Sequence, residues 1–240
     1  TRVSMKLLNH FGVKKPLISY HEHNHVTAGQ SVLNRLLAGE SCALMTDAGT
    51  PAISDPGEDL VRLCAENGVE VRAIPGCCAA VNALAVSGLP TGRFTFEGFL
   101  TVNKKSRREH LNSLKGETRT MIFHEAPHKL RTTLNDLTEA FGPDRRISLC
   151  RELTKLHEEV LRFTLAEAVA YYEENAPKGE YVLVVAGAAP KTGAVVTLED
   201  SVAQVLALKE QGMRLKDAAK EVAEHTGLSK NELYAAALER

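Results

Sequence analysis

The chain has 240 residues, of which 44% are apolar and 25% charged, and its formal net charge is −1. That length buries a core large enough for one large or two modest α/β domains, and the near-neutral balance excludes attraction to nucleic acid by overall charge alone, so a polyanion would need a local basic patch. No run reaches the about 20 apolar residues of a membrane-spanning helix, and no signal peptide is expected. The five cysteines form no C-x-x-C pair, which points away from a disulfide framework and toward the reducing cytoplasm.

In chain order, residues 2–11 have helical apolar spacing, Leu17–Tyr20 reads as a short strand, and Val26–Ala38 as a helix through Val32, Leu33, Leu36 and Leu37. Cys42–Thr46 is a continuous apolar run, as expected of a strand buried on both faces. It leads into the Gly/Pro-rich segment Asp47–Gly57. A helix over Glu58–Glu66 and a strand over Val69–Ile74 follow, then Pro75-Gly76 and a small-residue helix, Ala79–Ser87. Strands are expected at Phe94–Leu100, Arg119–His124, Arg146–Arg151, Val160–Thr164 and Tyr181–Ala186. Helices are expected at Lys104–Leu114, Lys129–Phe141 and Leu165–Glu174. This alternation predicts a mostly parallel sheet with crossover helices. Gly187–Gly193 reads as a linker. Beyond it the pattern is helical only: Leu198–Gln211, Leu215–His225 and Lys230–Glu239. Gly227 lies in the turn, and Ser229 is the expected N-cap of the last helix. The spacing fits a helix-turn-helix, and equally a packing or dimerisation appendix.

Ligands of open α/β sheets bind outside the carboxyl ends of strands, which selects three segments. Asp47–Gly57 (D-A-G-T-P-A-I-S-D-P-G) combines prolines that stiffen the loop with glycines that allow close backbone approach. It meets neither the dinucleotide nor the P-loop fingerprint, so it is either a loop for a flat polar ligand or a structural turn. Pro75–Ala80 (P-G-C-C-A-A) is a turn against which a ligand, or the sheet itself, could pack. His124–Lys129 and Cys150–Glu159 place Glu and a cation directly after apolar strands, either as surface ion pairs or as substrate-binding charges. His21, His23 and His25 have the alternation of metal ligands on one strand face, but no Cys or carboxylate set completes a zinc site, and no metal is expected. Lys104, Lys105, Arg107 and Arg108 are the densest basic cluster, either a solvated helix start or a set of phosphate contacts.

Seven strings, in this order, resemble the ribosomal RNA small subunit methyltransferase I family, within the tetrapyrrole-methylase-like class. They are D-A-G-T-P-A-I-S-D-P-G (47–57), I-P-G-C-C-A-A (74–80), S-G-L-P (87–90), F-E-G-F-L (96–100), F-H-E-A-P-H-K-L (123–130), C-R-E-L-T-K (150–155) and K-G-E-Y-V-L-V-V-A-G (178–187). The closing L-S-K-N-E-L-Y-A-A-A-L-E resembles the family's small helical domain. The resemblance implies two tetrapyrrole-methylase-like α/β domains, at 1–76 and 77–190, with S-adenosylmethionine between them, and a helix-turn-helix-like domain at 198–240. It implies that Gly49, Thr50, Pro51, Ile53, Ser54, Cys78 and Ala79 line the cofactor, and that Phe123, His124 and Glu125 approach it from the other domain. The implied reaction is 2′-O-methylation of a cytidine ribose in the decoding region of 16S rRNA, by a cytoplasmic and commonly dimeric enzyme acting on rRNA or the 30S subunit. The family begins with a strand and a P-T-P-I-G-N-L-type loop before the equivalent of Thr1. The first α/β domain is therefore expected to be truncated, and this form to hold cofactor poorly or not to fold. His25 stands where the family has an acid.

Methyl transfer from a sulfonium is an in-line displacement that depends on orientation and can use a base for the hydroxyl proton. Glu125 and Glu152 are the candidate bases. Arg151 and Lys155 are candidates to hold phosphate or to lower the hydroxyl's pKa. Two rival readings are a tetrapyrrole C-methyltransferase and a non-catalytic RNA-binding module built on the terminal helices and the 104–108 cluster.

Overall fold

Five strands carry the architecture. The structure is a computed structural model that describes residues 2–189 and 197–239. Strands β1 (Phe94–Phe99), β2 (Thr120–Glu125), β3 (Arg146–Arg151), β4 (Glu159–Thr164) and β5 (Tyr181–Val185) form one sheet in the order β1-β2-β5-β3-β4. Only β1 and β2 pair in parallel; β2–β5, β5–β3 and β3–β4 are antiparallel. The expected mostly parallel sheet is therefore corrected to a mixed one. The cause is local: β3 and β4 are joined by a short segment that permits a hairpin, and β5 inserts between β2 and β3 from the opposite direction.

Alternation of side chains across the sheet builds two cores. On one face, Ile122, Cys150, Val182 and Val184 pack against Ala80, Ala83 and Leu84 of α4 (Ala79–Ser87). On the other, Met121, Phe123, Ile147, Leu149, Tyr181, Leu183 and Val185 pack under α5 (Lys104–Ser113), α6 (Leu130–Phe141) and α7 (Leu165–Glu174). The small side chains of α4 let it lie close to the sheet. Helix α7 opens with a capping box between Thr164 and Glu167, which satisfies amides that the helix itself leaves unpaired.

The segment before the sheet departs from expectation. Its elements are α1 (Arg2–His10), α2 (His25–Leu37), α3 (Glu58–Glu66) and α4. The strands expected at Leu17–Tyr20, Cys42–Thr46 and Val69–Ile74 have no ladder partner among the described residues. Leu17, Ile18, Met45 and Val71 stand exposed and Ile74 is 83% exposed, so Cys42–Thr46 is not a strand buried on both faces. A strand needs its partner's hydrogen bonds as well as an apolar sequence. Helices α2 and α3 do pack, through Val32, Leu60 and Cys64 with Tyr20 and Leu36 around them.

Contacts divide the chain into two compact units at Ala188/Ala189. The first spans both α/β portions expected from the sequence. Residues 190–193 of the expected linker lie outside the described residues. In the second unit α8 (Leu198–Glu210), α9 (Leu215–Thr226) and α10 (Lys230–Leu238) enclose Val202, Val205, Ala218, Ala219, Val222 and Leu233. Gly227 ends α9 in the left-handed conformation at φ 73°, where a side chain would be disfavoured. Ser229 occupies the N-cap position of α10 but makes no side-chain capping hydrogen bond.

Strand β5 is buried at every residue and is bonded on both edges. Replacing its fully buried Leu183 with Ala is expected to lower stability by about 2–5 kcal/mol, measured by urea unfolding of the full chain.

Candidate active site

The carboxyl ends of β1, β2 and β3 lie side by side, together with the start of β5. Register assigns each residue there to a face. Arg151 and Glu125 both oppose Tyr181, whereas Cys150 and His124 both oppose Val182. Tyr181 belongs to the core under α5–α7 and Val182 to the core under α4. Consecutive residues of β2 therefore face opposite ways: His124 lies on the α4 side, and Phe123 and Glu125 on the α6 side.

On the α4 side, His124 meets Phe96 and Phe99 edge-on, with ring centroids 5.2 and 5.4 Å away. Residues three apart on a regular strand would point to opposite faces. The register shift between Phe96 and Gly98 brings both rings to His124, and Gly98 takes φ 62° to allow it. Burial pushes the His124 pKa down from its ordinary value of 6.5, with the Asp55 and Glu180 carboxylates opposing. Its Nε2 is inaccessible and has no hydrogen-bond partner among the described residues.

The loop 47–57 reaches the same side. A Cβ placed on Gly98 would lie 3.8 Å from Ser54 Oγ. Thr50 Oγ1 donates to the Cys77 carbonyl at 2.9 Å, tying the first Gly/Pro-rich loop to the second. Thr46 Oγ1 donates to Asp55 Oδ2 at 2.8 Å and closes the loop at its base. Ala52 and Ser54 hold φ of 66° and 58°, left-handed values that cost L residues of order 1 kcal/mol or more and cluster at binding sites. Ile53 is exposed, Pro51 half-buried, Cys78 packs on the α4 core, and Ala79 begins α4. Gly49, at φ 74°, leaves its backbone open beside the Cys77 carbonyl. A cavity of about 470 Å³ opens beside Ser54–Asp59 and is lined also by Glu22, His25 and Arg62. His25 is hydrogen-bonded to Asp59, which also accepts from Tyr20 at 2.7 Å. His21–His25 spans a turn and the start of α2, so these histidines do not share a strand face.

The carboxylates and cations named from the sequence fall elsewhere. Phe123 is fully buried in the α5–α7 core. Glu125, 4% exposed, accepts from the Thr133 hydroxyl and, at 2.8 Å, from the Ala126 amide. Arg107 is drawn into the same network, to Asp136 at 2.5 Å and Thr133 at 2.7 Å. Of the basic cluster, only Lys104, Lys105 and Arg108 stand exposed. Glu152 accepts from Lys155 Nζ at 2.8 Å and from the Glu180 amide at 2.9 Å, and Lys155 also pairs with Glu180. Lys155 holds the Glu152 carboxyl below its ordinary pKa. Glu152 lies so close to Gly179 that a Cβ there would collide with it. Arg151 pairs with Glu159 at 3.3 Å. Sequence reading missed Phe96, Phe99 and Thr133. The F-E-G-F string carried the signal for the first two, because a glycine inside a strand pattern marks a bulge.

Residues 3–169 match the family model of Tetrapyrrole (Corrin/Porphyrin) Methylases, and residues 196–240 that of the RsmI C-terminal HTH domain. The chain is 46% identical to Ribosomal RNA small subunit methyltransferase I of Synechocystis sp. over 100% of its own length and 86% of that protein. It is 45% identical to the protein of that name from Halalkalibacterium halodurans, covering 98% and 82%. With that from Escherichia coli O157:H7 the identity is 41%, covering 100% and 84%. The crystal structure of the methyltransferase CobJ shares the fold, at TM-score 0.54 and 21% identity over 75% of this chain and 78% of that one.

Burial lowers the His124 pKa in the folded state, while the unfolded chain takes up a proton below about pH 6.5. The stability it contributes is full above that pH and falls as pH drops toward its depressed folded pKa. His124→Gln is expected to flatten this acid limb, read from melting temperatures between pH 8 and about pH 5; parallel limbs in the two proteins would refute the assignment.

Proposed function

We propose that this chain, which belongs to the ribosomal RNA small subunit methyltransferase I family, 2′-O-methylates a cytidine ribose of small-subunit rRNA with its reaction centre on the α4 side of the sheet. It is an S-adenosylmethionine-dependent methyltransferase. One observation carries the placement: the strained loop 47–57, the Cys77–Cys78 turn and the unpartnered His124 Nε2 converge beside one sheet edge. The residues there fit the cofactor. Gly49–Ser54 offers open backbone, Cys78 and Ala79 a small-residue wall, and Nε2 a polar atom with no intramolecular use. The bound cofactor supplies an electrophilic methyl group on a sulfonium.

The chain's part is to orient and to accept a proton. His124, its pKa lowered by burial and its ring held against Phe96 and Phe99, positions the end of β2 at the site. Proton acceptance is assigned to Glu152, which stands at the carboxyl end of β3 with Lys155 fixing its carboxylate. Glu125 already receives two internal hydrogen bonds and serves as a positioning residue that holds β2 on α6. Arg151 and Lys155 supply positive charge at the same edge. Lys104, Lys105 and Arg108 are exposed phosphate contacts, and Arg107 anchors their helix. The assembled 30S subunit as substrate, a homodimer and a cytoplasmic location complete the reading. Free thiols at all five cysteines support the reducing compartment. Identity of 41–46% to rRNA methyltransferases over nearly the whole chain weighs against a tetrapyrrole substrate.

The deciding experiment incubates the chain with labelled S-adenosylmethionine and unmethylated 30S subunits, then maps the modified ribose. Glu152→Gln is expected to lower kcat by about 100-fold or more with KM for cofactor little changed, while Glu125→Gln mainly lowers the melting temperature. Near-normal turnover by Glu152→Gln would move the base elsewhere. Thr50→Val removes the bond between the two loops; at about 1 kcal/mol it is expected to weaken S-adenosylmethionine about 5-fold in a calorimetric titration.

A further inference from the structure

A second cavity, of about 220 Å³, lies at the same strand ends and is lined by Arg151, Tyr171, Tyr172, Asn175, Ala176 and Lys178. Register places it on the α6–α7 side of the sheet, because Arg151 opposes Tyr181 of that core. It is therefore separate from the loop 47–57 and His124. Its volume leaves room for a phosphate-sized group.

Its chemistry is selective. Arg151 lines the cavity with 25% of its side chain exposed and pairs with Glu159 through Nη2 at 3.3 Å. A guanidinium is shaped for two parallel bonds to one anion. Lys178 contributes a second cation from an exposed side chain. Arg131 reaches the Asn175 carbonyl at 3.5 Å, which sets a third cation at the rim. Tyr172 donates to Tyr181 at 3.4 Å, and Tyr181 accepts from the Lys178 amide at 3.2 Å, which holds the wall of the cavity in place.

The geometry points to a phosphodiester-binding subsite for the RNA strand, on the side of the sheet away from the methyl donor. This rests on the rRNA reading above and deepens it. The strand would run across the carboxyl edge, with the target ribose beside His124 and a neighbouring phosphate against Arg151 and Lys178.

The test measures binding rather than turnover, with the full chain, 30S subunits and a naked small-subunit rRNA fragment. Lys178→Gln, at an exposed position, and Arg151→Gln are expected to raise the RNA Kd about 5- to 20-fold. Each should reduce the slope of log Kd against log salt by about one. S-adenosylmethionine affinity should not change. An unchanged Kd and slope in Lys178→Gln and in a folded Arg151→Gln overturns the subsite. Competition by inorganic phosphate at low concentration would assign the cavity to the free anion and also overturn it. If the wild-type chain binds RNA through these residues but transfers no methyl group, the subsite stands and the enzymatic reading falls.

Discussion

Strand β5 is hydrogen-bonded on both edges and buried at all five residues. It runs against both of its neighbours, so β2 and β3 end at the same edge although they never touch. That one constraint brings F-H-E and C-R-E together from segments far apart in sequence. It also fixes which of their side chains can meet. Val182 draws His124 and Cys150 into one row, and Tyr181 draws Glu125 and Arg151 into another. The division of labour between the two faces follows from backbone pairing before any side-chain chemistry is considered.

The strands from Phe94 onward were legible in the sequence because each apolar run has a partner within the sheet. Cys42–Thr46 and Val69–Ile74 are as apolar, yet they have no ladder partner among the described residues and stand largely exposed. A periodic pattern reports the tendency of one segment, whereas a strand is a property of a pair. The loop 47–57 was legible as a stiff polar loop from its glycines and prolines. Its tie to the second loop was not, because nothing local connects Thr50 to the carbonyl of Cys77. Phe123, His124 and Glu125 read as one wall in the sequence, but alternation sends His124 to one side and its neighbours to the other. Arg107 reads as one of four surface cations, yet Asp136 and Thr133 draw it inward. Those partners come from α6, so the basic cluster alone could not show which of its members is spent on packing.

Electrostatics on the two faces differ in kind. On the α4 side the central titratable group is the His124 imidazole, whose pKa burial lowers. On the other side Arg151 pairs with Glu159, and beyond the end of β3 Glu152 pairs with Lys155 and Lys155 with Glu180. Fixed charges at strand ends suit a polyanionic chain that must be held in register.

The left-handed backbone at Ala52 and Ser54 has a consequence for how this sequence can change. Glycine would relieve the strain at either position without altering a single contact of the core. Selection for heat resistance alone would therefore drift toward glycine in this loop, and would gain stability of the fold while loosening a segment whose shape is held under tension.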